Sequence, residues 1–338
     1  MTPRIAADHL LGAAGDGELL HTAVDGEPFV DRVETAVYTV PTDTPEGDGT
    51  LAWDSTTMIV VQVSGGGATG LGYTYALWDL KARLLDLPLV RLLGGSRTHV
   101  PVYGSGGFTT YDQHELGRQL RGWVEEQGIP RVKIKIGESW GRAEQRDRER
   151  VAQARRSIGD AVELYVDANG AYGQKHAIRV ARHLDEHGVA WFEEPVSSDD
   201  LAGLAQVRAA VAPEVTAGEH GYTLAYFGHM LGAGAVDCLQ ADASRCGGIT
   251  VWLRAAALAE AAGLELSGHC APHVPAHAAA AIPNLRHLEW FHDHTRIEDL
   301  FFDGTLDPQG GSVRPGADGA PGHGLTLRAD QAEKYRTG

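Results

Sequence analysis

The sequence is poor in cysteine and in positive charge, and it holds no long apolar run. Each shortage excludes something. Its 3 cysteines, Cys238, Cys246 and Cys270, are an odd number and widely spaced in a chain of 338 residues. They make no disulfide framework and read as small buried hydrophobes in a reducing cytoplasm. No stretch approaches the roughly 20 apolar residues of a membrane-spanning helix. No N-terminal stretch joins a basic start to an apolar core, so a secretory signal is not expected. With 29 Lys and Arg against 45 Asp and Glu, the formal charge is −16. Such a surface repels phosphates, which argues against nucleic acid and gives no reason to expect a membrane partner. What remains is an ordinary globular composition, 43% hydrophobic and 22% charged. The chain is long enough for a large barrel and something smaller.

The texture divides the chain into residues 1–97, 98–302 and 303–338. The first region has strand-like runs at Arg32–Val40 and Thr57–Val63, separated by a loop rich in Pro, Gly, Asp and Thr. Ser64-Gly65-Gly66-Gly67 reads as a hairpin turn into Ala68–Tyr75. A helix is expected from Ala76 to Leu93, with Leu77, Leu80, Leu84 and Leu87 at helical spacing and Gly94-Gly95 as its stop. From His99 onward, short apolar strands alternate with amphipathic helices. The expected strands are Pro101–Gly104, Arg131–Ile136, Glu163–Asp167, Val189–Glu193, Val215–Glu219, Asp237–Ala241, Leu264–Gly268 and Arg286–Trp290. Strand–helix alternation means parallel pairing, and eight such strands close into a barrel. No long amphipathic helix follows the eighth strand, and the Gly/Pro-rich tail from Asp303 is expected to pack back over the first region.

Ionisable residues end strand after strand: Lys135, Asp167, Glu193, Glu219, Asp242, His269 and Glu289. Asp167, Glu193 and Glu219 are evenly spaced, one strand–helix unit apart, so they share a phase and converge at the C-terminal mouth, where barrel enzymes keep their sites. Any one alone would read as a helix cap or an Arg partner. Three unpaired anions together repel unless a cation neutralises them. All-oxygen ligation favours a hard cation, Mg²⁺ first. Glu193 and Glu194 alternate sides of a strand, so only Glu193 is expected to face the metal.

Lys133 and Lys135 share a face on a Val/Ile strand. Two buried ammonium groups lower each other's pKa, and a Lys brought toward about 7–8 can act as a general base. His269 lies one strand after Asp242, and a carboxylate on one ring nitrogen raises the basicity of the other. That pair makes a second acid/base.

Taken in order, Val132-Lys133-Ile134-Lys135, Val166-Asp167-Ala168-Asn169, Trp191–Pro195, Ala217-Gly218-Glu219, Gln240–Gly248, His269 and His287-Leu288-Glu289 resemble the enolase superfamily. The resemblance is to its mandelate racemase-like subgroup, the mandelate racemase/muconate lactonizing enzyme family. Enolase-superfamily sites are known to use a Lys or His base with Mg²⁺ stabilising an ene-diolate. The resemblance implies an enolase-type (β/α)7β barrel with an N-terminal α+β capping domain over residues 1–97. Its mobile loop, Pro41–Trp53, would close over the substrate. It implies Asp167, Glu193 and Glu219 as Mg²⁺ ligands, Lys135 as one base, and His269 oriented by Asp242 as the other. Glu289 would bond the substrate carboxylate or enolate oxygen, Lys133 would support Lys135, and Ser105, Asn169 and Trp53 would touch substrate. A homo-oligomer is also implied. The chain departs from the family where Gly72-Tyr73-Thr74-Tyr75 runs directly into the helix at Ala76: members carry several helices there, so either the cap is truncated or a stretch is absent from the sequence.

The expected reaction is Mg²⁺-dependent removal of the proton α to a carboxylate, in a sugar acid or 2-hydroxy acid. If His269 protonates a departing β-hydroxyl, the enzyme is an acid-sugar dehydratase. If it reprotonates the opposite face, the enzyme is a racemase or epimerase. A muconate-type cycloisomerase would carry a Lys where this chain has His269. A thin cap also admits a catalytically impaired binding protein.

Overall fold

The computed structural model describes residues 29–73 and 76–338. The N-terminal stretch read for a signal, and Thr74-Tyr75 at the junction with the first helix, lie outside the described residues. The first region is a three-stranded antiparallel sheet of β1 (Arg32–Gly47), β2 (Ala52–Gly65) and β3 (Ala68–Gly72). Most of Pro41–Trp53 is therefore strand rather than loop. Pairing runs from Arg32↔Ser64 to Gly47↔Ala52, with a register shift between Pro41 and Glu46. Pro41 has no N–H for the ladder, so pairing breaks there, and it resumes beyond an irregular stretch. The tip is docked on the barrel. The Thr109 amide donates to Gly47 O at 2.7 Å and the Trp140 amide to Gly49 O at 2.9 Å.

The helix expected over Ala76–Leu93 is two, Ala76–Leu84 and Leu89–Leu92. Asp86 between them is left-handed at φ 53°, and Pro88 follows. Proline cannot donate an interior helix bond and biases the residue before it away from the helical region.

The barrel strands are β4 (Val100–Gly106), β5 (Arg131–Lys135), β6 (Glu163–Asp167), β7 (Val189–Glu193), β8 (Glu214–Ala217), β9 (Cys238–Ala241), β10 (Glu265–Gly268) and β11 (Leu285–Phe291). They are parallel neighbours in sequence order, and β11 pairs back onto β4 to close the ring. Alternation along each strand sorts the side chains. Ile134, Val166, Phe192 and Leu239 face outward into the main core beneath the helices. Tyr103, Tyr165, Trp191 and Cys238 form a separate cluster, the filled floor that such barrels need.

A helix, His292–Phe301, does follow the eighth strand. Its buried face includes Asp293, Thr295 and Glu298, so the apolar period that would have announced it is missing. Beyond it lie β12 (Phe302–Asp303), β13 (Ser312–Val313) and β14 (Thr326–Leu327). The chain end returns to the sheet: the Val37 amide donates to Gly338 O at 2.8 Å. Among the described residues no helix is long and apolar enough to cross a membrane.

Candidate active site

Register delivers the site. Lys135 lies opposite Asp167, and Asp167 opposite Glu193, in one row across β5, β6 and β7. Strand β8 ends at Ala217, and Glu219 is reached through Gly218 at φ 132°. A Cβ on Gly218 would sit 2.0 Å from Gln240 O, so only glycine lets the chain pass close over β9. Asp242 and His269 each directly follow the last residue of their strands. The ligand atoms of Asp167, Glu193 and Glu219 all lie within 4.8 Å of one another, and the three side chains are buried.

Both lysines meet these carboxylates. Lys133 Nζ donates to Glu193 Oε1 at 2.6 Å and lies 2.8 Å from Glu289 Oε1 and 3.9 Å from Asp167 Oδ2. Lys135 Nζ donates to Asp167 Oδ2 at 2.5 Å. The expected depression of their pKa is not found. Burial opposes charge on Lys135, and Lys133 does too, but Asp167 with Glu219 and Glu289 outweighs them and holds the ammonium above its ordinary range. Lys133 is held up in the same way by Glu193, Glu289 and Asp167. Considering β5 alone counts two cations and none of the anions that neighbouring strands bring.

His269 Nδ1 lies 2.7 Å from Asp242 Oδ2, and its Nε2 lies 3.0 Å from Glu219 Oε2. Burial disfavours the imidazolium, yet its neighbours, Cys270 first and then Glu219 and Glu289, with the bond to Asp242, hold the ring well above its usual pKa. Glu219 is held well below the ordinary carboxylate range, because His269 and Arg245 overcome its burial. Arg245 was not foreseen. Its guanidinium reaches Glu219 Oε1 at 3.1 Å and Asp242 Oδ2 at 3.3 Å, tying the triad to the His269 pair. The available signal was a lone cation three residues after Asp242 in a segment ending in Gly247-Gly248.

The expected substrate contacts separate. Ser105 is fully buried and its hydroxyl donates to Glu289 Oε1 at 2.5 Å, so it braces Glu289 rather than lining a cavity. Trp53 Nε1 donates to Glu46 Oε2 at 3.0 Å beneath the hairpin, with its ring edge-on to Phe108. Asn169 lines a cavity at the mouth, together with Glu194 and His220. Glu194 is the departure from simple alternation. It leaves the strand at φ 36°, and its carboxylate comes within 4.8 Å of the ligand atoms of Glu219 and His220.

A divalent cation suits this donor set. Three buried carboxylates converge, with only oxygen atoms offered, and the structure already answers their charge with buried ammonium groups. Hard oxygen donors at this density fit Mg²⁺ better than a softer metal.

Comparison with known proteins agrees with the geometry. The family model "Enolase C-terminal domain-like" matches residues 115–332. The chain is 36% identical over 234 residues to the L-talarate/galactarate dehydratase of Salmonella typhimurium, covering 66% of this chain and 57% of that enzyme; it therefore spans less than two thirds of that relative's length. A mandelate racemase/muconate lactonizing enzyme-like protein from Rubrobacter xylanophilus superposes with a TM-score of 0.87 at 45% identity, over 91% of this chain and 99% of that one. A racemase from Streptomyces coelicolor with bound magnesium superposes with a TM-score of 0.84 at 27% identity, over 91% and 100%. With its closed eight-stranded barrel and the matched barrel sequence, the chain belongs to the mandelate racemase/muconate lactonizing enzyme family of the enolase superfamily.

Proposed function

We propose that the chain is a Mg²⁺-dependent enzyme that removes the proton α to a substrate carboxylate, and that it acts as an acid-sugar dehydratase. The observation that carries this reading is one mouth with three convergent carboxylates, flanked by the Lys133–Lys135 face and the His269–Asp242 pair. In this reading the barrel at 98–302 holds the chemistry, and the sheet of β1, β2 and β3 with the tail at 303–338 covers it.

Asp167, Glu193 and Glu219 would hold the cation. Bound there, Mg²⁺ would supply positive charge against the enediolate and occupy the carboxylates that keep Lys135 charged. Lys135 takes the α-proton. Lys133, fully buried between Glu193 and Glu289, faces the carboxylate on which negative charge develops. His269, held by Asp242 at one ring nitrogen, donates its proton to the β-hydroxyl as the C–O bond breaks and water leaves. The enol that remains tautomerises to a 2-keto-3-deoxy acid. Asp242 keeps the ring oriented and Ser105 keeps Glu289 in place.

A racemase is the second reading, since two bases on separate strands could serve opposite faces of one carbon. The dehydratases among the relatives, such as the L-talarate/galactarate enzyme, favour the donor role in dehydration. The test is a panel of sugar acids and short 2-hydroxy acids with Mg²⁺ in deuterated water, followed by NMR and a carbonyl reagent. Keto acid identifies the dehydratase, and deuterium with inversion but no keto acid identifies the racemase. Neither product from any acid, with Mg²⁺ bound, refutes both and favours a binding protein.

A further inference from the structure

The reaction proposed above does not use a cavity of about 610 Å³ that opens beside the triad. Its inner end is Asn169, Glu194 and His220, and His220 Nε2 lies 3.2 Å from Glu219 Oε1. Trp140 and Tyr222 stand further out, 60% and 64% exposed, and Thr50 comes from the hairpin tip.

Two kinds of observation mark it as a binding site. First, two of its lining residues carry buried acceptors without donors. Glu194 is 1% exposed and its Oε1 has no hydrogen-bond partner, and neither has Asn169 Oδ1. Buried acceptors left unpaired are costly, and a ligand rich in hydroxyl donors would satisfy them. Second, Trp140 holds a left-handed backbone at φ 60°, and its amide N–H donates a hydrogen bond to Gly49 O. A large aromatic kept exposed in a costly conformation is a recurrent mark of a ligand clamp. Its flat apolar face suits the C–H face of a sugar chain, while the Ser197, Thr223 and Tyr222 hydroxyls suit its oxygens.

Charge decides what the chain can carry at its far end. The lining includes no Lys or Arg, while Asp199 contributes an exposed carboxylate. A second substrate carboxylate placed here meets the Asp199 carboxylate and no Lys or Arg to neutralise it.

We propose that this cavity receives the neutral polyhydroxyl end of the substrate, so that the enzyme takes aldonic acids and rejects aldaric acids. The inference rests on the α-proton reading of the adjoining site and adds the chemistry of the distal end.

The test measures kcat/KM for five- and six-carbon aldonates, for the aldarates of the same length, and for glycerate, which is too short to fill the cavity. Aldonates should exceed aldarates by on the order of a hundredfold. Tyr222→Ala should lower the aldonate-to-glycerate ratio by about tenfold, and Asp199→Lys should shift preference toward aldarates. Both residues are exposed at the rim, so folding is not at stake. Aldarates used as well as aldonates, or ratios unmoved by both variants, would overturn the subsite while leaving α-proton chemistry intact. Failure to exchange the α-proton even of glycerate would overturn the reading beneath it, and the subsite with it.

Discussion

Lys133→Met separates a cation-binding site from a merely buried salt-bridge cluster. The ammonium is fully buried, with carboxylate oxygens at 2.6 and 2.8 Å and a third at 3.9 Å. At an effective dielectric constant of about 20, each of the two short contacts is worth about 6 kcal/mol of attraction, most of it offset by desolvation. Removing one partner of such a buried pair leaves about 3–5 kcal/mol of net destabilisation, since the remaining carboxylates are uncompensated. Unfolding entropy of about 2.1 cal/mol/K per residue, over 338 residues, is roughly 0.7 kcal/mol/K. The variant should therefore melt about 4–7 °C below the native chain in EDTA. Methionine keeps the volume but not the charge, so the triad becomes more anionic and should bind Mg²⁺ more tightly. Saturating Mg²⁺ should then raise Tm more in the variant than in the native chain and close most of the gap. Thermal unfolding of both proteins in EDTA and in Mg²⁺ gives the four numbers needed. An equal deficit with and without Mg²⁺ would refute the reasoning, because the cation would then not be answering the same carboxylates.

Other expectations follow from the same geometry. Lys135→Ala should lower kcat/KM by roughly 10²–10⁴-fold and abolish α-proton exchange while Mg²⁺ still binds; retained exchange removes Lys135 as the base. His269→Asn should leave α-deuterium incorporation measurable but stop keto-acid formation, and loss of both would make His269 the abstracting base. Glu298, buried under the Tyr73 hydroxyl, is pushed up to about 8 by burial. A raised carboxyl contributes stability that is fully present below the unfolded value near 4.5 and is lost as pH rises through about 8. Glu298→Gln should therefore flatten Tm between pH 4.5 and 8 and be the more stable protein above pH 8; an unchanged slope would count against this. A Cβ on Gly49 would lie 2.8 Å from the carbonyls of both Ile136 and Ala168, so Gly49→Ala should lift the hairpin tip and raise KM several-fold with little change in Mg²⁺ affinity.

The barrel was legible because each strand announces itself by a short apolar run, and the triad because equal phase on successive strands survives closure into a ring. Asp167 and Glu193 sit in register, as an even spacing requires. What failed had a common cause: it depended on neighbours that one segment does not contain. The lysine pair looked mutually depressing from Val132-Lys133-Ile134-Lys135 alone, whereas Asp167, Glu193 and Glu289 arrive from other strands and reverse the sign. The stretch Pro41–Trp53 has loop composition, yet β1–β2 pairing and bonds from Thr109 and Trp140 order it. The helix His292–Phe301 hides its buried face because Asp293 and Glu298 are satisfied by Thr56 and Tyr73 across the interface with the sheet.

Arg245 shows the same principle from the side of function. Its cation sits between Glu219 and Asp242, so one guanidinium neutralises a carboxylate of the triad and the carboxylate that orients His269. Because each of those acids is buried and would otherwise face another anion, the separation of roles depends on that bridge: Glu219 stays ionised for a cation, and Asp242 stays ionised for the imidazole. Electrostatic order at this mouth is therefore a property of the closed ring. A reading from strand ends finds the convergent carboxylates but not the charges that keep them available.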